Sequence, residues 1–562
     1  MSGENPILNN PYEEPLLHYA TNLAGELDYS VVKEGRRIFT PDIQSIPVRS
    51  GPQKDLLEIN EYCATYGNEL VNLVRREVKV WRDATYPNTT RVTRELLNYW
   101  FLDPTRENRL FYAQREAIES AIWLNEVADR SNPGQHVLAR LAQAQTISEE
   151  PDVNLPRIAF KMATGTGKTV VMAALIAYHF CNRQEYRSDV RFADNFLAIA
   201  PGITIRDRLS VLCVSAHSGL EGASDYYSER LLVPHSLRKN FESLNAHLVI
   251  TNFHSFQPRT LQGNKRSPFD GKIGTDGQKT EALEDYAQVL RRLLPGFRAG
   301  SRLLVLNDEA HHCYLPKQGD KRKAEGEDTE EENERAAVWY RGLIELGQRF
   351  KVRAVYDLSA TPYYLTGSGY EPYSLFPWVV SDFGLTEAIE SGLVKIPFLP
   401  TSDDTDRIKE PVLRNLYEEI RDELPKSGRR TKRTRAAEVG GKFQEAPPHL
   451  PETLQIALDQ FYRHYEKDFN RPGQQTFEAP PVFIVVCNNT SVSKEVFKFM
   501  AGYEQTTDDE SAPPVIQTGR YNLFSNYDQQ TLRPHPRPPT LLIDSDALEN
   551  SGQVDDSFKR VF

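Results

Sequence analysis

An α/β fold built on a parallel sheet follows from three observations. From about Asn108 to Lys395 short apolar runs alternate with helix-length stretches. One run leads directly into the octapeptide Met162-Ala163-Thr164-Gly165-Thr166-Gly167-Lys168-Thr169. Each run also ends in small or polar residues, as strands do where a parallel sheet holds ligand loops at its carboxyl ends.

Taken in order, the chain opens with a turn-rich stretch, Asn5 to Pro15, and a helix is expected over Asn68–Trp81. Thr93 is expected to cap a second helix that carries Leu96, Leu97 and Trp100. The runs Ile158–Phe160, Phe196–Ala200, Leu248–Ile250, Leu303–Leu306 and Val352–Leu358 are expected as buried strands. A largely apolar helix should open at Gly167 and run through Phe180. Gln262–Asp285 and Gln318–Arg335 interrupt the pattern as loops; the second holds eight acids and four bases and is too polar to pack. After Pro397 come polar helical stretches and a basic cluster, Lys426–Arg435, expected as a solvated loop rather than a DNA contact. A second α/β pattern then starts, with strands at Val482–Val486 and Leu541–Ile543 and a helix over Ser493–Met500. The expected organisation is an N-terminal extension (1–105), a nucleotide-binding lobe (106–396), a linker with helical insertion and basic loop (397–478), and a second lobe, apparently cut short (479–562).

Composition narrows the class. At 562 residues two or three domains are expected, and 39% apolar with 26% charged residues is ordinary for a water-soluble protein. No run of eighteen apolar residues exists and the first residues lack a secretory pattern, so a cytoplasmic, non-membrane protein is expected. The five cysteines are scattered without a C-x-x-C pair, which fits buried small hydrophobes rather than zinc or disulfides. A net charge of −11 argues for nucleic acid held in a cleft by local groups, not by overall attraction.

The chemistry sits in the octapeptide and two later segments. Gly165 and Gly167 let successive amides of Ala163–Thr169 face a phosphate, and the helix start beneath adds its positive end. Lys168 supplies charge for the β- and γ-phosphates of ATP, and the Thr169 hydroxyl suits Mg²⁺. Asp308 comes 140 residues after Lys168, at the end of a run, where the same Mg²⁺ needs an anionic partner. Glu309 beside it can act as general base towards water. His311 is read as a polar link to the next strand rather than a metal ligand, and His312 and Cys313 as packing. Ser359 and Thr361, 51 residues after Asp308 in the case of Ser359, offer hydroxyls that can bond the Asp308–His311 segment. Gln114 offers both donor and acceptor, as an adenine edge requires, with Phe111 or Tyr112 available to stack; a plain helix-start Gln is the competing reading.

Together these residues resemble the superfamily 2 helicases and translocases of the DEAH-containing kind, and more closely the Res subunit of type III restriction–modification enzymes. The resemblance includes Asn9–Pro15, Phe111–Glu119, Phe160–Thr169, Pro201–Arg208, Thr251–Phe256, Asn307–His312, Asp357–Tyr364, Phe376–Phe383 and Ala388–Lys395. It implies a RecA-like P-loop NTPase core with a partial second RecA-like lobe, ATP and Mg²⁺ as cofactors, duplex DNA as substrate and a methyltransferase subunit as partner. It also implies backbone contacts to nucleic acid from Thr204, Arg208, Thr251 and His254, and from Asn489 and Thr490 on the second lobe. The family's arginine-bearing motif Q-x-x-G-R-x-x-R is not matched; Gln517–Arg520 has the wrong spacing and is expected as a turn. Its nuclease would lie past Phe562, and Pro41-Asp42 with Glu77-Val-Lys79 only imitates the nuclease pattern. A fragment, or a partner chain supplying the rest, is therefore expected. Two other readings stay open: a non-hydrolysing, nucleotide-dependent scaffold of a defence complex, and an RNA helicase of the same superfamily.

Overall fold

The computed structural model describes residues 6–21, 27–40, 69–148, 155–215, 225–239, 241–259, 283–316, 327–364, 368–370, 374–395, 416–424, 448–470, 481–505 and 515–543. The chain divides into two compact units, Met1–Ile396 and Pro397–Phe562.

The first unit begins with an antiparallel hairpin, β1 (Leu17–Thr21) and β2 (Leu27–Glu34), and continues through helices α1 (Leu70–Asp83), α2 (Arg91–Leu97), α3 (Tyr112–Glu126) and α4 (Asn132–Ser148). Its centre is a six-stranded, all-parallel sheet: β3 (Arg157–Met162), β4 (Asn195–Ala200), β5 (Leu248–Asn252), β6 (Arg302–Asp308), β7 (Lys351–Ser359) and β8 (Val379–Phe383). The spatial order is β5-β4-β6-β7-β3-β8. Between strands run α5 (Lys168–Glu185), α6 (Ile203–Arg208), α7 (Tyr286–Leu293) and α8 (Glu327–Arg349), with α9 (Leu385–Glu390) after β8. This is an α/β, RecA-like P-loop fold.

Because successive strand residues face opposite sides, each strand feeds two cores. Phe196, Ala198, Leu304, Leu306, Tyr356 and Leu358 pack with α3 and α5. Leu197, Ile199, Leu303, Val305 and Val355 pack with Phe253, Leu290, Trp339, Leu343 and Leu346 from the other side. Burial on both faces is why these runs carry almost no polar residue. The five expected strands all form, and β8, together with the β1–β2 hairpin, adds to them.

Beneath the sheet's carboxyl edge lies a buried polar knot. Arg157 Nε donates to Asp357 Oδ2 (2.8 Å), and neither side chain is exposed. The same carboxylate accepts from Trp378 Nε1 (2.9 Å) and Asn307 Nδ2 (2.8 Å), while Arg157 also donates to the Cys313 carbonyl (2.9 Å). Three strands and the segment after β6 are thereby tied at one point. A second ionic cluster holds the N-terminal region to the sheet. Arg36 and Arg75 both reach Glu116 (2.7 and 2.9 Å), Arg37 reaches Glu390 (2.8 Å), and Arg82 reaches Glu119 (2.6 Å). Burial alone would raise the Glu116 carboxyl, but Arg36 and Arg75 overcome it and hold it at about 2.

Several expectations need correction. The α2 cap is Thr90, whose side chain accepts from the Thr93 amide; Thr93 is inside the first turn and donates to Glu126. The later half of the acidic insertion is not loop but the start of α8, and Ala336 and Trp339 pack in the core. In the second unit, α10 (Leu416–Ile420), α11 (Glu452–Phe469) and α12 (Thr490–Ala501) enclose a small core with Leu458, Val496, Met500 and Phe524. The hairpin of β9 (Gly502–Gln505) and β10 (Val515–Thr518) follows. Val482–Val486 is not a strand: Val482, Ile484 and Val486 are 80%, 77% and 90% exposed. Leu541–Ile543 is likewise no strand. Gln517 and Thr518 lie in β10 rather than in a turn, and Arg520 grips Asp459 through two bonds of 2.8 Å. The basic cluster Lys426–Arg435, Pro41-Asp42, Cys63 and most of the two insertions fall outside the described residues. Among the described residues, no helix is long and apolar enough to cross a membrane, and no His, Cys, Asp and Glu cluster is arranged for a metal ion.

Candidate functional site

Sheet order creates the site. β6, β7 and β3 are neighbours, so the loops after β6 and β3 face each other across the end of β7. The registers Lys161↔Ser359 and Asp308↔Leu358 put the three strand ends level.

The loop after β3 is built for close approach by an anion. Gly165 and Gly167 have φ of +87° and +90°, where side chains are strained. A Cβ at Gly167 would also lie 2.2 Å from the Gln114 amide nitrogen. Ala163 begins the loop by donating its amide to Phe383 of β8 (2.9 Å), and its carbonyl accepts from the Thr166 hydroxyl (2.7 Å). Thr164 and Gly165 form the exposed tip, whereas Thr166 is buried. Lys168 and Thr169 begin α5, so their N–H groups have no intrahelical acceptor and point outward with the helix's positive end.

Opposite stands the segment after β6. Glu309 has φ of +49°, a left-handed conformation rare for this residue and one that stores strain at functional sites. That turn aims its carboxylate across the site, where Oε1 is 3.1 Å from Lys168 Nζ. Asp308 is 8% exposed, and its Oδ1 is buried without a hydrogen-bond partner. Burial, with Glu309 adjacent, pushes this carboxyl up to about 6 despite Lys168 and Arg208 nearby. An orphaned carboxylate oxygen of this kind could take a hydrated divalent cation, and Thr169 at the start of α5 could offer it a hydroxyl.

His311 Nδ1 is 2.9 Å from Ser359 Oγ, and Ser359 Oγ accepts from the Thr361 amide (3.0 Å). Burial, then His312 and Lys168, push the His311 imidazole down to about 3, so it is neutral and bonds as a polar linker. Lys168, Asp308, Glu309, His311, Ser359 and Thr361 thus converge on one edge.

Gln114 lies close by, its amide engaged within the chain. Oε1 accepts from the Phe111 amide (3.1 Å), and Nε2 donates to the Thr166 carbonyl (3.0 Å). It braces the loop against the first turn of α3. Thr204 and Arg208 lie on α6, after β4; Arg208 is exposed and close enough to act electrostatically on Asp308. Thr251, the penultimate residue of β5, is buried, and His254 sits in the following turn against Phe253. In the second unit Asn489 caps α12 by accepting from the Val492 amide (2.9 Å), and Thr490 begins that helix.

Sequence reasoning missed the pair Lys161 and Asp382, 3.1 Å apart at the root of the loop. A lysine next to the apolar run Ile158–Phe160 was the available signal.

Residues 107–363 match the family model described as type III restriction enzyme, res subunit, so this stretch is a domain of that family and helicase-containing. No curated protein and no solved structure matches the chain.

Proposed function

Starting from a restriction-type helicase domain over residues 107–363, we propose that this chain binds Mg-ATP at the phosphate loop and couples its hydrolysis to movement on duplex DNA. The observation that carries the reading is the facing pair Lys168 and Glu309, with the unpartnered Asp308 oxygen beside it. Lys168 would leave Glu309 for the β- and γ-phosphates, freeing that carboxylate to orient water. Thr169 and Asp308 would hold Mg²⁺, which supplies charge neutralisation on the phosphates when bound. His311, through Ser359, would pass the state of the γ-phosphate to the end of β7.

Thr204, Arg208, Thr251 and His254, with Asn489 and Thr490 of the second unit, are proposed to hold the nucleic-acid backbone, which gives grip without reading sequence. The proposed partners are a methyltransferase subunit and a complementary second-lobe or nuclease segment, in cis or on another chain, in the cytoplasm. Unaided hydrolysis should be slow, because a transition-state arginine is worth ~10³–10⁵ in turnover and would come from that complementary segment. Vigorous DNA-stimulated turnover by the chain alone would refute this.

Calorimetry with Mg-ATP tests the core of the proposal. The parent should take up nucleotide, and Lys168→Ala should bind at least ~100-fold more weakly with its fold intact, the scale of a lost charge-assisted phosphate contact. Absence of uptake by folded parent protein overturns it. Preference for duplex DNA over single-stranded RNA separates it from an RNA helicase.

A further inference from the structure

Both ends of the segment that carries Asp308, Glu309 and His311 are fastened to one buried ion pair. At its start the Asn307 amide donates to Asp357 Oδ1 (2.8 Å), and the Asn307 side-chain oxygen accepts from Trp339 Nε1 of α8 (3.3 Å). At its end the Cys313 carbonyl accepts from Arg157 (2.9 Å), whose Nε donates to Asp357 Oδ2 (2.8 Å). Asn307 and Asp357 are register partners on β6 and β7. The side chains of Asn307, Arg157 and Asp357 are 1% exposed or less, so a bond lost there is not replaced by one to water. Asn307 ends the apolar run Leu303–Leu306, where a buried amide costs stability unless it is bonded. The tie, rather than packing, accounts for it.

Between the two fixed points the chain forms a short turn, Ala310–His312, closed by the Cys313 amide on the Ala310 carbonyl (2.9 Å). Glu309 opens that turn with φ and ψ both at +49°. A residue other than glycine keeps such a conformation only where its surroundings over-determine it.

We propose that Asn307, Arg157 and Asp357 are positioning residues for hydrolysis: by pinning both ends of the segment they hold Glu309 in its left-handed turn. The inference rests on the reading of Glu309 as the group that orients water. Without the Asn307 tie the end of β6 relaxes, and the Glu309 carboxylate leaves its place 3.1 Å from Lys168 Nζ. The phosphate loop is held separately, by Gln114 and by the Phe383 carbonyl. The knot therefore sets the rate of hydrolysis and not the affinity for nucleotide.

Single-turnover phosphate release and calorimetry with Mg-ATP, both on the full chain, test this. Asn307→Leu removes the amide at similar volume and should slow release by about 10- to 100-fold, the scale of a reacting group misplaced by about 1 Å. Its ATP affinity should stay parental. Exchanging the two partners, Asn307→Asp with Asp357→Asn, keeps every bond of the knot. The amide then accepts from Arg157 and Trp378 and donates to the carboxylate, which accepts from Trp339. This double variant should recover the parental rate, whereas Asn307→Asp alone sets two carboxylates face to face and should not. A parental rate in folded Asn307→Leu, or a loss of ATP affinity as large as the loss of rate, overturns the proposal and makes the knot a purely structural tie. A slow but folded double variant overturns it too. Parental turnover in Glu309→Gln would instead remove the underlying reading of Glu309.

Discussion

Two apolar stretches of the same kind meet opposite fates. Leu303–Leu306 in the first unit is wholly buried between β4 and β7, whereas Val482–Val486 in the second leaves three of its side chains mostly in solvent. Composition does not separate them. What differs, among the described residues, is whether neighbouring strands are there to accept the backbone bonds and cover both faces. Strand propensity is a fit to a surrounding surface rather than a property of the run itself. In the first unit that surround also brings three strand ends level and so assembles a site. In the second, three helices pack around a small core.

The largest test of the first unit's site is Glu309→Gln. If this carboxylate orients water, turnover should fall ~10²–10⁴-fold while nucleotide binding persists, measured by phosphate release beside calorimetry. Equal turnover in variant and parent would favour a scaffold that does not hydrolyse.

Next comes the knot that fastens the sheet. Asp357→Ala leaves Arg157 buried without its counter-charge and should cost about 3–5 kcal/mol in denaturant unfolding. The loss should appear in the first unit's transition only. An effect on both transitions would mean that the units do not unfold separately.

Asp308 provides a pH test. Its carboxyl is raised to about 6 from 3.8, so the group favours folding most when protonated, below about pH 4. That contribution is lost as pH rises to about 6, a cost of up to about 3 kcal/mol above it. Asp308→Asn should therefore stabilise the nucleotide-free protein at pH 8, not at pH 4, in thermal melts. Magnesium-dependent nucleotide affinity should disappear in the same variant. A pH-independent change in melting temperature would contradict this origin.

The smallest effect belongs to the second unit. Ile484→Lys should alter stability by less than about 0.5 kcal/mol, because the side chain is already in water. A loss of several kcal/mol would show that this stretch is covered in solution and would erase the contrast between the units.

Much of the first unit was legible because its elements are local. Four of the five strands are short runs without polar interruptions, the fifth carries only Arg353 and Asp357, and the helix after Gly167 follows from the loop that starts it. Lys168, Asp308, Glu309 and Ser359 could be placed near one another because each follows a strand of one parallel sheet. What escaped depends on distant partners. Arg36 reads as a surface charge until Glu116 and Glu387 close around it. Gln114 looked free to meet a base, but its amide is engaged by groups 3 and 52 residues away. The strand at Val379–Phe383 was hidden by the Pro and Trp before it and by Asp382, whose charge is met by Lys161. Val482–Val486 failed for the opposite reason, since nothing in a run of five residues states which neighbours it will find.

The Lys168–Glu309 bridge sets an entry condition on ligands. Because the ammonium already has a carboxylate companion at 3.1 Å, an incoming anion must outcompete a full negative charge tethered at close range. Chloride or a singly charged phosphate ester brings too little, while a polyphosphate brings several charges at once and meets the helix amides as well. If Glu309 orients water as proposed, the same carboxylate would also favour polyphosphates over smaller anions at Lys168.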